Sequence, residues 1–202
     1  MKILLATKNQ GKLKEIREIF QGSSFEIIGR DELPTETTQN MEIEETAQSF
    51  EGNALIKAIV LGEISGFVTL ADDSGLCVEA LNGAPGVNSA RYSGGGDKEN
   101  NLKLLGEMAG QSEEKRDAHY QCVVAIYDPT MKKAQTVFGR WDGRIALEMR
   151  GDKSFGYAPV FLPREFGYKV TTAELDNEEI IKINHRGQAF RQARKILEEK
   201  YS

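Results

Sequence analysis

Lys2-Ile3-Leu4-Leu5-Ala6-Thr7-Lys8-Asn9-Gln10-Gly11-Lys12 decides the fold: a short apolar run, a polar bend, and then apolar residues at Leu13, Ile16, Ile19 and Phe20. The apolar run bounded by a bend reads as a buried strand, and the three-and-four spacing after it reads as an amphipathic helix. Working outward, Phe25 to Ile28 reads as a second strand, and residues 30–49 as an irregular connection rich in Asp31, Glu32, Glu36, Glu42, Glu44 and Glu45. A helix follows with Phe50, Ala54, Ala58 and Leu61 on one face, while Asn53 and Lys57 share another. Phe67 to Ala71 reads as a strand running into Asp72-Asp73-Ser74-Gly75, with Leu76 to Leu81 continuing extended. Gly83 to Gly96 is a glycine-rich loop holding Arg91 and Tyr92, and Asp97 reads as the N-cap of a helix carrying Leu102, Leu105 and Met108. Tyr120–Tyr127 and Ala134–Trp141 predict a hairpin around Asp128-Pro129, as edge strands of the same sheet. Gln188 to Lys200 predicts a closing helix with Phe190, Ala193 and Leu197 buried. Strands alternating with helices, plus a hairpin, predict an α/β fold: a mixed twisted sheet flanked by helices, with residues 1–202 as one domain.

Composition narrows the function classes. The 202 residues suffice for one sizeable core, and 40% hydrophobic with 28% charged residues is an ordinary globular balance. Lys and Arg number 26 against 31 Asp and Glu, a net charge of −5, which gives no bulk attraction for nucleic acid. The longest uncharged apolar stretches, such as Val123 to Tyr127, fall far short of the ~20 residues of a membrane span. No longer apolar segment with a cleavage site follows Met1, so the expectation is a cytoplasmic protein with neither a membrane nor a nucleic-acid partner. Cys77 and Cys122, the two cysteines, stand 45 positions apart and suggest neither a disulfide framework nor a zinc knuckle.

Five motifs carry chemistry. Thr7-Lys8-Asn9-Gln10-Gly11-Lys12 places a hydroxyl, an amide, a glycine and a lysine at a helix N-terminus, the equipment of an anion site. It is not a Walker A loop, since Ala6 and Leu13 stand where that loop needs Gly and Ser/Thr. The same text also describes an ordinary capped helix. Asp72-Asp73 ends an apolar strand; if the strand persists, the two carboxylates face opposite sides. One would then serve a cation or a proton transfer and the other would hold the loop by accepting backbone N–H groups, while the plain alternative is an Asx turn before Gly75. Glu44-Glu45 would ordinarily be solvated, but with Asp73 they offer the few hard oxygens that Mg²⁺ accepts. Phe155-Gly156-Tyr157-Ala158-Pro159 brings two aromatics that either flank a base or belong to the core. His185-Arg186-Gly187, placed just ahead of the last helix, would donate to a keto group or lie on the surface. His119 reads as a structural histidine on a strand. Together these describe a nucleotide phosphate site with Mg²⁺.

In this order and spacing the motifs resemble the inosine/xanthosine triphosphate pyrophosphatase family. The matching text is Ala6 to Lys12, Glu44-Glu45-Thr46, Phe50 to Ala58, Ala71 to Leu76, Gly83-Ala84-Pro85-Gly86, Ser89-Ala90-Arg91-Tyr92, Phe155-Gly156-Tyr157 and His185-Arg186-Gly187, essentially the whole chain. The resemblance implies an elongated two-lobed α/β fold with the substrate in a cleft between lobes, and a homodimer. It implies Mg²⁺-dependent hydrolysis of non-standard purine nucleoside triphosphates (ITP, dITP, XTP) to the monophosphate and pyrophosphate, with Mn²⁺ suiting the same oxygens. Carried over by residue, Thr7, Lys8, Asn9, Gln10, Gly11, Lys12 and Lys57 would hold phosphates, and Ser74 would touch substrate. Asp73 would accept the proton and bind the metal with Glu44 and Glu45. Phe155, Gly156, Tyr157, Ala158, Lys182, His185 and Arg186 would form the base side.

Three positions depart from the family pattern on that base side. Ala158 stands where a base-contacting aspartate is expected, Ile180 replaces a lysine (Lys182 is nearby), and Asn184 replaces the serine before His185-Arg186. They raise the alternative of a pyrophosphatase with altered base selectivity. A nucleotide-binding regulator without catalysis is the other alternative, opposed by the intact Glu44, Asp73, Lys12 and Lys57.

Overall fold

The computed structural model describes residues 1–33, 41–153 and 155–201; Glu36, counted above in the acidic connection, lies outside them. The described elements run β1 (Lys2–Leu5), α1 (Gln10–Phe20), β2 (Glu26–Gly29), α2 (Phe50–Ser65), β3 (Thr69–Val78), α3 (Asp97–Glu107), β4 (Asp117–Asp128), β5 (Lys133–Ile145), β6 (Phe161–Pro163), α4 (Asn177–Ile183) and α5 (His185–Tyr201). The strands form one six-stranded mixed sheet in the order β2-β1-β3-β4-β5-β6. β1 pairs in parallel with β2, Ile3 opposite Ile27, and with β3, Leu4 opposite Thr69. β5 and β6 are antiparallel, Arg144 opposite Leu162. The mixed α/β sheet flanked by helices is thus present as expected. No helix among the described residues is long and apolar enough to cross a membrane.

The chain forms two compact units: Met1–Asp73, Cys122–Gly139 and Arg186–Ser202 make the first, and Ser74–Gln121 with Arg140–His185 the second. In the first unit the alternation of strand side chains sorts two layers. Ile3, Leu5, Leu70, Val124 and Ile126 pack with Leu13, Ile16 and Phe20 of α1 and Phe190, Ala193 and Leu197 of α5. Leu4 and Ile28 pack instead with Leu61 of α2. Burying each of these large apolar side chains contributes about 1.5–3 kcal/mol, so the layer assignment of every strand position is firmly specified. Asn9 caps α1, its side chain accepting from the Lys12 N–H, and Ser49 caps α2 by accepting from the Gly52 N–H. A Cβ at Gly62 would stand 2.5 Å from the Tyr127 ring, so glycine is what lets α2 lie this close to β4. In the second unit Leu76, Val78, Leu104, Met108, Trp141 and Phe161 form the core.

Several expected boundaries move, each for a local reason. β3 runs unbroken through Asp72-Asp73-Ser74-Gly75, so no Asx turn interrupts it; the extended stretch then ends at Val78, with Glu79–Leu81 a 3-10 turn. β4 and β5 lie inside the sheet, not at its edge, because β3 flanks β4 and β6 flanks β5. Their hairpin does turn at Asp128-Pro129, where Asp128 Oδ1 accepts from the N–H groups of Thr130 and Met131. Gly96, not Asp97, caps α3, and the Asp97 carboxylate goes to the Gly156 N–H. His185 and Arg186 do not precede the last helix but open it.

Candidate active site

The persistence of β3 decides what the two aspartates meet. Leu70 faces the α1/α5 layer, and two positions on, Asp72 faces it too. Asp72 is buried, accepts from Lys12 Nζ at 2.8 Å, and lies 3.5 Å from Arg186 Nε. Arg186 in turn reaches Glu15 of α1 at 3.5 Å. Burial alone would raise the Asp72 pKa, but Lys12 and Arg186 beside it hold the carboxyl well below the usual carboxylate range. Burial likewise opposes the Arg186 charge, and Asp72 and Glu15 outweigh it, so that pKa is raised. Asp72 therefore does not hold a loop through backbone N–H groups as expected: β3 continues past it, and its carboxylate is met by the side-chain cations of Lys12 and Arg186.

Asp73, one residue on, faces α2. Its Oδ2 accepts from Asn53 Nδ2 at 3.1 Å, and its Oδ1 is 3.7 Å from Lys57 Nζ. Lys57 also donates to Glu45 Oε1 at 2.7 Å. The exposure of residues 41–48 alternates, half-buried and exposed in turn, which puts Glu45 on the inward side with Ile43 and Ala47 and leaves Glu44 exposed. Asn53 is fully buried and ties this segment down, its Oδ1 accepting from the Ala47 N–H at 3.0 Å. Burial raises the Asp73 pKa above the ordinary aspartate value; Lys57 and the Asn53 hydrogen bond oppose the rise, while Glu45 and Asp72 add to it.

The N-terminal loop wraps around its own helix start. The Asn9 N–H donates to Thr7 Oγ1 at 3.1 Å and the Lys12 N–H to Asn9 Oδ1 at 3.0 Å. Gln10 Nε2 donates to Asp31 Oδ2 at 3.0 Å, and Lys8 and Gly11 are exposed. First-turn N–H groups of a helix have no intrahelical acceptor, so Gln10 and Gly11 add backbone donors beside the Lys12 ammonium.

In the second unit the two aromatics of the Phe-Gly-Tyr stretch divide. Phe155 is 69% exposed, whereas Tyr157 is 4% exposed and its hydroxyl donates to the Ser89 carbonyl at 2.9 Å. Ala158 is buried, its carbonyl accepting from Thr172 Oγ1. Ile180 packs on the core of this unit and Lys182 is exposed. Asn184 is buried at the C-cap of α4. The His185 ring stacks on Tyr120, centroids 4.7 Å apart and 9° from parallel. His119 is structural as expected, its Nδ1 3.0 Å from Glu79 Oε1.

Ser74 follows Asp73 on β3, half-buried. Sequence reasoning missed Glu15, and it assigned no site role to Asn53. The signal was the i,i+3 and i,i+4 spacing that puts Glu15 on the Lys12 side of α1 and Asn53 on the Lys57 side of α2. Among the described residues no three His, Cys, Asp or Glu side chains gather at metal-holding distance. Mg²⁺ is commonly bound by one or two carboxylates plus substrate phosphates, and the Asp73–Glu45 pair, both drawn to one cation at Lys57, has the hard oxygens that suit it.

The model of the Ham1 family matches residues 3–196. A dITP/XTP pyrophosphatase of Desulforamulus reducens is 42% identical, covering 100% of this chain and 98% of its own. A protein of the same name from Haemophilus influenzae is 43% identical over 94% of this chain and 95% of its own. Among solved structures, a HAM1 protein from Coxiella burnetii superposes with a TM-score of 0.88 at 37% identity, covering 98% of this chain and 99% of that one. The Ham1 protein of Staphylococcus aureus gives the same TM-score, 0.88, at 34% identity over 99% and 100% of the two chains. Matched from end to end in sequence and in fold, the chain belongs to the Ham1 family.

Proposed function

We propose that this protein hydrolyses non-standard purine nucleoside triphosphates such as ITP, dITP and XTP, cleaving the α–β phosphoanhydride bond to give the monophosphate and pyrophosphate. The observation that carries the reading is the division of labour between adjacent aspartates. Asp72 is spent holding Lys12 and Arg186, while half-buried Asp73, held near Lys57 and Glu45, keeps a raised pKa. Relatives at about this similarity bear the name dITP/XTP pyrophosphatase, which agrees with the activity implied by the sequence motifs.

In this reading Lys12 and Lys57, with the first-turn N–H groups of α1, compensate the triphosphate charge as the α–β bond breaks. Asp73 orients the attacking water and takes its proton as general base. Asn53 holds Asp73 in place through Oδ2. Mg²⁺, bound through Asp73 with Glu45, would supply charge neutralisation on the phosphate oxygens, while Glu44, exposed on the other side of its segment, is not part of the set. Arg186 and His185 would donate to the 6-keto purine; adenine would set its 6-amino donor against them, at a cost of about 1–3 kcal/mol for an unpaired buried polar group. A cytoplasmic homodimer completes the proposal, on the strength of the family resemblance.

A second reading, altered base selectivity, is favoured by two observations: Ala158 is buried with no carboxylate to accept a ring N1–H, and Ile180 packs against the core. Pyrophosphate release with Mg²⁺ over inosine, xanthosine, guanosine, adenosine and pyrimidine triphosphates separates the two. Release confined to inosine and xanthosine supports the first; a broad or shifted profile supports the second. No release from any base refutes both.

A further inference from the structure

The turn that carries Phe155 is gripped at both ends of a single residue. Gly156 sits at φ +65°, a left-handed conformation open to glycine. Its N–H donates to Asp97 Oδ2 at 2.7 Å, and its carbonyl accepts from Asn101 Nδ2 at 2.7 Å. Asn101 Nδ2 also donates to the Asp97 carbonyl at 2.8 Å, so two residues one turn apart on α3 act as one clamp. Tyr157 is anchored beyond it through Ser89.

Stability does not account for this investment of polar groups. The ring the clamp displays is 69% exposed, so fixing it gains little apolar burial. Asn101 is 1% exposed, and its Oδ1 finds no hydrogen-bond partner among the described residues. A buried acceptor left unsatisfied is a net penalty that an apolar residue at this position would avoid. A local structural rule broken without a gain in stability is the mark of a feature kept for function.

We propose that Asp97 and Asn101 are positioning residues for base recognition: they lock the Gly156 peptide so that the Phe155 ring is presented as a fixed stacking platform for the purine. The inference rests on the pyrophosphatase reading and deepens it. A mobile Phe155 would have to be ordered by each substrate, whereas a clamped one is preorganised and loses no further freedom on binding.

The test is steady-state kinetics of Asp97→Ala, an exposed position whose replacement leaves the core untouched, with Asn101→Ala as a second variant. KM for inosine triphosphate should rise about tenfold, the scale of one lost base–aromatic stack, with kcat changed less than about twofold. The inhibition constant of inorganic tripolyphosphate, which has no base, should not move. Asp97→Asn, whose amide oxygen still accepts from the Gly156 N–H, should restore KM. An unchanged KM in folded variants, or an equal loss toward tripolyphosphate and nucleotide, overturns the proposal. Failure of the pyrophosphatase reading looks different: the parent itself releases no pyrophosphate, and the positioning role falls with it.

Discussion

Replacing Asp72 by Asn keeps the volume and removes one charge, which makes the buried cation network testable without opening a cavity. Asp72 is 5% exposed, with Lys12 Nζ at 2.8 Å and Arg186 Nε at 3.5 Å. Removing one partner from a buried ion pair typically costs about 3–5 kcal/mol, because the other charge stays behind unpaired. The side chains of Lys12 and Arg186 are 23% and 11% exposed, so Lys12 has some access to water while Arg186 retains Glu15. That places the expected loss near the lower end, about 3 kcal/mol, or a fall in Tm of roughly 6–12 °C for a chain of this size. The pH dependence has a definite sign. Asp72 has a depressed folded pKa, so its contribution is fully present above the ordinary carboxylate value of about 3.9 and is lost as pH falls below it toward the folded value. Calorimetry of parent and variant should therefore show the largest gap near neutrality and a closing gap in acid. A Tm difference under about 2 °C at pH 7, or a gap that stays constant into acid, refutes the account of Asp72 as the counter-charge of this network.

Asp73→Asn should abolish pyrophosphate release while leaving tripolyphosphate binding measurable; persistent turnover removes Asp73 from the proton-transfer role. The same variant, without divalent cation at neutral pH, should melt no lower than the parent. Because the Asp73 pKa is raised on folding, its ionised form costs stability as pH climbs through that raised value. Ala158→Asp should sharpen preference for inosine and xanthosine over adenosine triphosphate, read as a ratio of kcat/KM values, and an identical ranking in parent and variant counts against a missing base contact at this position.

Local pattern was enough for much of the fold. Leu13, Ile16 and Phe20 declare a helix face and Ile3, Leu4 and Leu5 a buried strand, since period and apolarity are read within a few residues. Strand limits were harder. β3 continues through Asp72-Asp73 because Lys12, Arg186, Asn53 and Lys57, all distant in sequence, satisfy carboxylates that by local chemistry favour a turn. The interior place of β4 and β5 likewise depends on neighbours β3 and β6, which no local window contains.

The sequence by itself determined which chemical groups this protein owns: the helix-start loop, the paired aspartates, the acidic segment, and the aromatic and His-Arg stretches. Pleat geometry made Asp72 and Asp73 face opposite ways only on condition that the strand persisted, and that condition was met by tertiary contacts. Only the tertiary structure decided which aspartate is bound up with cations, that Glu45 and not Glu44 turns inward, and that Phe155 is displayed while Tyr157 is buried. Those outcomes depend on which side chains from remote segments stand across a few ångströms, and a carboxylate's pKa follows from the charges and the loss of water it meets there.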